Sequence, residues 1–236
     1  MAHVPASERR PQLIEAAIRL MAREGIAAGS TRAIAAELGV AQATVHYTFG
    51  TKRDLYRAVV ETLTSEYIDQ VTVTALPEDG TFDEQVRTLV HALWARVRAE
   101  PGRSTLLTEF TVLALRDPEL RDIMRAHERT IERTAADILT GLAAEADQVL
   151  AAPALDIAVH FLTALDGLIQ RYLLFQPAPG AENGTAHGNA DDHTDGNAED
   201  TADADTDADA DDARRALDLL VEGTLGLCLG PRADRR

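Results

Sequence analysis

The stretch Leu38–Tyr56, LGVAQATVHYTFGTKRDLY, decides how the chain is read. It carries the only lysine of the sequence, Lys52, and sets Gln42, Thr44, His46, Tyr47 and Thr48 within seven positions. Two glycines punctuate it. Gly39 ends a helix expected over Thr31–Leu38, with Ser30 as its cap and Ile34, Ala35 and Leu38 as its apolar face. A short helix is expected next, from about Gln42 to Thr48, and Gly50-Thr51 makes the second break. Thr51 with Asp54 three residues on approximates a capping box for a fourth helix, which carries Leu55, Val59, Leu63 and Ile68 near one face. Two short helices joined by a glycine turn and braced by longer ones make a helix-turn-helix.

In such a unit the second short helix projects, and its leading side chains meet base edges in a major groove. Gln42 suits a bidentate pair with adenine, and Ala43 suits a thymine methyl or a close backbone approach. Thr44, His46, Tyr47 and Thr48 carry hydroxyl or imidazole groups fit for phosphate oxygens and base edges. Lys52 falls at the start of the fourth helix, where free backbone N–H groups already favour an anion. Ser30, Arg32 and one of Arg9 or Arg10 complete the candidate phosphate contacts. Val45 and Phe49 read as core.

Working outward, a first helix is expected from about Glu8 to Glu24, with Leu13, Ala17, Leu20 and Met21 at helical spacing. Beyond Leu76 the pattern is helical throughout. Phe82, Val86, Leu89, Leu93 and Val97 form one stripe, and a short apolar run covers Leu106–Leu115. A long stripe follows from Leu120 through His127 to Leu142. After Pro153 comes a helix with two apolar stripes, one through Ala158, Phe161 and Leu165, the other through Leu155, Val159 and Leu162. A helix apolar on two sides needs cover on two sides, supplied either by a second copy of the chain, as half of a four-helix interface, or by the core of the single chain. A last helix is expected from about Ala213 to Leu229.

Composition agrees with an all-α chain, because hydrophobic residues reach 45% with only 4% aromatic, leaving Ala and Leu to carry burial. The formal charge of −16 is unevenly spread. Residues 178–212 hold twelve Asp or Glu and no Lys or Arg, whereas the first 60 residues hold eight bases against five acids. The acidic tract is low in complexity, and a disordered insertion is expected there. Its Asp runs lack the Gly and Glu positions of an EF-hand loop. Cys228 is the single cysteine, which excludes an internal disulfide. The opening MAHVPASERRPQ has no apolar run after its charges, so no signal peptide is expected. Asp156, His160, Asp166 and Arg171 interrupt the longest apolar region, so no membrane span is expected and the chain reads as cytoplasmic. No catalytic elbow, zinc-spaced group or phosphate loop is present, so neither an enzyme nor a cofactor is expected.

The segments LIEAAIRLMAREGI and STRAIAAELGVAQATVHYTFGTKRDLY together resemble the tetracycline-repressor (TetR) family of bacterial regulators over about residues 10–56. The shared pattern is an apolar first helix, Ser/Thr, Ile-Ala, Gly-Val, a short aromatic-bearing helix, Phe, and Ser/Thr-Lys opening helix four. Three positions depart from it: Ala41 where the family often has Ser, and His46 and Thr48 where Tyr is common. The resemblance implies an amino-terminal three-helix helix-turn-helix DNA-binding domain over residues 1–56. A helical ligand-binding and dimerisation domain over residues 57–230 follows. It assigns Thr44, Tyr47 and Thr48 to phosphate, and Gln42 with Ala43 mainly to bases. It also implies a small-molecule effector between helices four and eight, and a homodimer through the two carboxy-terminal helices.

For the effector, the candidates are polar or aromatic residues on apolar faces: Trp94, Glu109, Phe110, His127 and Asp166. Each has a plainer reading, as a core histidine for His127, an interface group for Asp166, an exposed acid for Glu109, and core for Trp94 and Phe110. The expected function is a homodimeric repressor of a palindromic double-stranded operator, released by a small molecule. A nucleoid-type binder without specific operator recognition, and a helical small-molecule-binding protein, stay open as alternatives.

Overall fold

The computed structural model describes residues 6–77, 80–176 and 199–229. Among these residues the regular structure is helical, with no strand. The elements are α1 (Ala6–Glu24), a single 3-10 turn (Ile26–Ala28), α2 (Thr31–Leu38), α3 (Gln42–Phe49) and α4 (Lys52–Thr72). They continue with α5 (Phe82–Ala99), α6 (Pro101–Ala114), α7 (Pro118–Glu145), α8 (Ala154–Leu174) and α9 (Glu199–Leu229). No helix among the described residues is long and apolar enough to cross a membrane.

Local chemistry sets the boundaries. The Ser30 hydroxyl accepts from the Ala33 N–H at 3.1 Å and starts α2. Gly39 ends it in the left-handed region at φ 68°, its N–H reaching the Ala36 carbonyl while the Val40 N–H reaches Ala35. That pair of bonds closes the helix as a Schellman motif, and a side chain at Gly39 would be strained. Thr51 caps α4 through the Asp54 N–H at 3.1 Å, and the Thr51 hydroxyl donates back to the Asp54 carboxylate at 2.6 Å. Thr81 and Glu84 form a reciprocal capping box on α5, and Asp117 accepts from two N–H groups ahead of α7.

Three boundaries differ from expectation. α1 starts at Ala6 and α3 runs on to Phe49. The acidic tract departs further. Its first part, to residue 198, lies outside the described residues, but α9 begins at Glu199 rather than near Ala213. Alternating Ala with Asp supplies the best helix former, and acids gathered at an amino-terminal end are favoured by the helix dipole.

Two apolar cores organise the packing. The first joins α1, α2, α3 and the first half of α4 to Leu106, Phe110 and Ala114 of α6 and to Leu120, Ile123 and Met124 of α7. The second joins α5, the end of α7, α8 and α9. The core of the amino-terminal unit thus continues past Tyr56 into α6 and α7. In the second core, α8 buries Ile157, Phe161, Leu162, Leu165 and Leu168 but leaves Leu155 and Val159 exposed, and α9 leaves Leu219 and Leu227 exposed. Cys228 is buried there, and burial pushes its thiol up to about 11.

α6 lies close against α1 at Gly102, where an added Cβ would stand 2.9 Å from the Ala22 carbonyl oxygen. Only a residue without a side chain permits that approach. Gly102→Val is expected to cost about 1–3 kcal/mol through overpacking, read as a lower thermal midpoint. Gly141→Ala, at an open position in α7, should instead gain about 0.5–1 kcal/mol. Similar effects at both sites would show that α6 does not press on α1.

Candidate nucleic-acid interface and interior cavities

The orientation of α3 follows from two residues. Val45 and Phe49, one turn apart, are buried in the first core. The opposite face, Gln42, Ala43, His46 and Tyr47, is left in solvent, with Tyr47 at 88% exposure. A large aromatic held outward on a short rigid helix has no packing role. Arg10 steadies the far end of α3, its guanidinium donating to the Thr48 carbonyl at 3.3 Å and lying 5.2 Å from the Phe49 ring centre. Arg23 ties α1 to α2 through Glu37 at 3.1 Å, and its hydrogen bond holds the Glu37 carboxyl below its ordinary value.

Arg32 and Lys52 are exposed beside the amino-terminal ends of α2 and α4, and the Lys52 ammonium lies 5.2 Å from the Tyr56 ring centre. Gln42 donates from Nε2 to the Thr31 hydroxyl at 3.1 Å, which aims it along the surface. The Ser30 hydroxyl is engaged as the α2 cap. Thr44 and Thr48 are half-buried, and the Thr48 hydroxyl donates to the Thr44 carbonyl at 2.8 Å, so its proton is not free for a phosphate.

Polar clasps join this head to the remaining helices. The Glu109 carboxylate on α6 accepts from the Ile26 backbone N–H at 2.6 Å, taking up an N–H of the 3-10 turn. Arg103, also on α6, donates to Glu15 of α1 at 2.9 Å and to Glu66 of α4 at 2.5 Å. Arg96 of α5 joins Glu66 at 3.3 Å. Glu66 is partly buried, so these pairs are shielded better than surface ion pairs.

Beneath the clasp lies a cavity of about 140 Å³ bounded by α4–α8. The charged and titratable groups on its wall are Tyr67, Arg96, Glu100, Arg103, His127, Glu128 and Asp166. Both arginines and Glu100 are held in the salt-bridge network. Glu128 and Asp166 have no hydrogen-bond or salt-bridge partner among the described residues. Removal from water, with Asp166 and Glu132 nearby, pushes the Glu128 carboxyl up to about 7. Asp166 stands at the mouth, more exposed than Glu128, where apolar neighbours thin the water and push its carboxyl up to about 6. Burial also raises the Tyr67 phenol.

His127 is fixed by Thr64, whose hydroxyl donates to the Val60 carbonyl at 2.6 Å and lies 2.7 Å from Nδ1. The Thr64 hydroxyl thus lies within hydrogen-bond distance of both the Val60 carbonyl and the imidazole, which fixes the ring between α4 and α7. Burial lowers this imidazole to about 4, leaving it neutral at physiological pH.

Of the five predicted effector contacts, the structure brings only His127 and Asp166 to this cavity. Glu109 faces the other way, as the clasp to Ile26. Phe110 is fully buried in the first core, edge-on to Tyr56. Trp94 packs edge-on to Tyr172 in the second. Sequence reasoning missed Glu128, Tyr67 and Arg103. Glu128 neighbours His127 in the chain, but its proximity to Asp166 arises only from the packing of α7 on α8. Among the described residues no group of three or more His, Cys, Asp or Glu is arranged to hold a metal ion.

Comparison with known proteins finds two matching family descriptions along the chain. Residues 13–59 match the family described as bacterial regulatory proteins, tetR family, and residues 82–196 match the carboxy-terminal domain of BetI-type transcriptional repressors. The nicotine-responsive transcriptional repressor HdnoR of Paenarthrobacter nicotinovorans is 29% identical over 169 residues, covering 70% of this chain and 84% of the relative. A transcriptional regulator from Rhodococcus sp. Rha1 shares the fold, with a TM-score of 0.64 at 19% identity over 93% of this chain and 97% of its own. The multidrug binding protein EbrR complexed with imidazole has 27% identity and a TM-score of 0.53, over 73% of this chain and 84% of that one.

The raised carboxyls make stability depend on pH with a definite sign. Unfolded, both groups ionise near their ordinary values of about 4; folded, they hold protons to about 6 and 7. The native state therefore binds more protons across that interval, and stability falls as pH rises through it. His127 acts oppositely: its depressed value makes stability fall as pH drops from about 6.5 towards 4. Glu128→Gln is expected to raise the thermal midpoint at pH 8 by about 2–4 °C, for roughly 1 kcal/mol, and to change little at pH 4.5. A midpoint lowered at pH 8 would show that Glu128 has a stabilising partner.

Proposed function

We infer how this protein works from one premise: the chain belongs to the tetracycline-repressor family and is a DNA-binding transcriptional regulator. On that premise it is a homodimeric repressor whose two α3 helices enter successive major grooves, about 34–36 Å apart, of a palindromic operator. Gln42 and Ala43 read base edges, and His46 and Tyr47 reach base edges and backbone. Thr44, Arg32, Lys52 and the amino-terminal end of α2 at Ser30 hold phosphates. The departure of Thr48 from this set follows from its bond to the Thr44 carbonyl. The dimer forms through α8 and α9, whose outward Leu155, Val159, Leu219 and Leu227 form an apolar face that the chain itself leaves uncovered.

The effector is a small organic cation bound in the carboxylate cavity. The observation that carries this reading is the pair Glu128 and Asp166, without partners, facing a space walled by Tyr67. A partly buried acid, a second acid at the mouth and an aromatic ring favour a cationic amine or quaternary ammonium over an anion or a neutral solute. Nicotine, to which the related repressor HdnoR responds, is itself a cationic amine at neutral pH. Arg103, Ser104, Leu107, Thr108 and Thr111 of α6 border the same cavity, and α6 holds the head through Glu15 and Ile26. An occupant that moves α6 therefore moves the heads, and DNA is released by differential affinity for the two arrangements.

The test starts with selection of bound sequences from random DNA, followed by affinity measurements on the recovered operator. Gln42→Ala is expected to relax preference at one base pair by about 1–3 kcal/mol. Lys52→Ala should weaken all sequences alike and reduce the salt slope by about one. Wild-type binding without sequence preference would sink the repressor reading. Choline should release operator DNA where its neutral carbon isostere does not, and Glu128→Gln with Asp166→Asn should abolish the difference. Equal action of both compounds would reject a cationic effector.

A further inference from the structure

Next to the carboxylate cavity lies a second, smaller space of about 90 Å³, bordered by α4, α5, α7, α8 and α9 and partly open to solvent. Tyr67, Ile131 and Leu162 line both, so the charged space and the apolar one adjoin at these three side chains. The second space is walled by Val86, Leu89, Ile138 and their apolar neighbours. Thr134 and Thr224 also border it, and the Thr224 hydroxyl is spent on the Leu220 carbonyl at 2.8 Å. With so few polar partners the space is a poor host for ordered water. On the same volume measure one water needs about 10–15 Å³, so the space takes a chain of several carbons.

We propose that this apolar cavity is a subsite for the hydrocarbon tail of an amphiphilic organic cation whose head occupies the neighbouring carboxylate cavity. The inference rests on the reading of Glu128 and Asp166 as the cation-binding pair and adds the second half of the ligand. Head and tail fit because the two spaces meet at Tyr67, which lines both and lies within reach of Asp166's charge. A short, compact cation fills only the first space. A cation carrying a linear chain fills both and removes apolar surface from water at each added carbon. The effector class is thus a lipophilic ammonium compound, distinguished from a polar amine by its tail.

The experiment is calorimetric titration of the full chain with alkyltrimethylammonium ions, from tetramethylammonium to octyltrimethylammonium. Affinity is expected to rise about three- to four-fold per methylene and then level off once the chain fills the space. Ala158→Leu and Ala135→Leu place new carbons in the apolar cavity from a buried and a half-buried position. Each should flatten the dependence on chain length while leaving tetramethylammonium affinity within about two-fold, which also reports that the variant is folded. Affinity independent of chain length, or a chain-length gain that survives both substitutions, overturns the apolar subsite while leaving the cationic reading intact. Absence of binding by every ammonium ion in the series overturns that reading and the subsite with it.

Discussion

One constraint governs the rest of the structure: α6 packs into the first core on one face and borders the carboxylate cavity on the other. On one side, Gly102 lets it touch the backbone of α1, Arg103 reaches Glu15, Glu109 takes the Ile26 N–H, and Phe110 fills the first core. On the other, Ser104, Leu107, Thr108 and Thr111 face the carboxylate cavity. Helical geometry places these sets on opposite faces, because residues three and four apart share a side. A rigid rod held this way cannot shift at the cavity without shifting at the head. Close packing makes that transmission mechanical, since interiors relax only partly around a displaced side chain.

In the proposed mechanism the cavity gives the switch its energy source. Removal from water disfavours the charged form of Glu128 and, at a more exposed position, that of Asp166. A bound cation would favour those charged forms, and a neutral molecule of the same shape would not. The neutral His127, pinned by Thr64 between α4 and α7, adds no positive charge that would oppose such a ligand. Arg96 and Arg103 are likewise neutralised by Glu66, Glu15 and Glu100 rather than by the ligand-facing pair. The network thus keeps the two sets of acids apart in function.

Much of this was legible in the sequence, and the boundary of legibility has a physical cause. The head was readable because its determinants are local: Ser30, Gly39 and Thr51 set caps and turns within four residues of themselves. The exposed face of α3 was readable because Val45 and Phe49 claim the other face. The cavity was not, since it is assembled from positions far apart in the chain. Glu109 looked like a misplaced acid inside an apolar run, and its partner Ile26 is 83 residues away. Trp94 and Phe110 looked like walls because aromatic residues suit both walls and cores, and only packing decides. The helical start of α9 at Glu199 was hidden because a low-complexity composition says nothing of the Ala–Asp balance that sustains a helix.

The central claim is that α6 couples the cavity to the head, and Glu109 offers the cleanest point of attack because it lies outside the cavity. The decisive measurement is operator affinity with and without saturating choline, in wild type and Glu109→Ala. The account predicts that choline weakens wild-type DNA binding by about 5- to 150-fold. In the variant that factor should fall towards one, with choline affinity itself unchanged. An undiminished factor in Glu109→Ala would show that the signal reaches the head by another route, and would contradict the account.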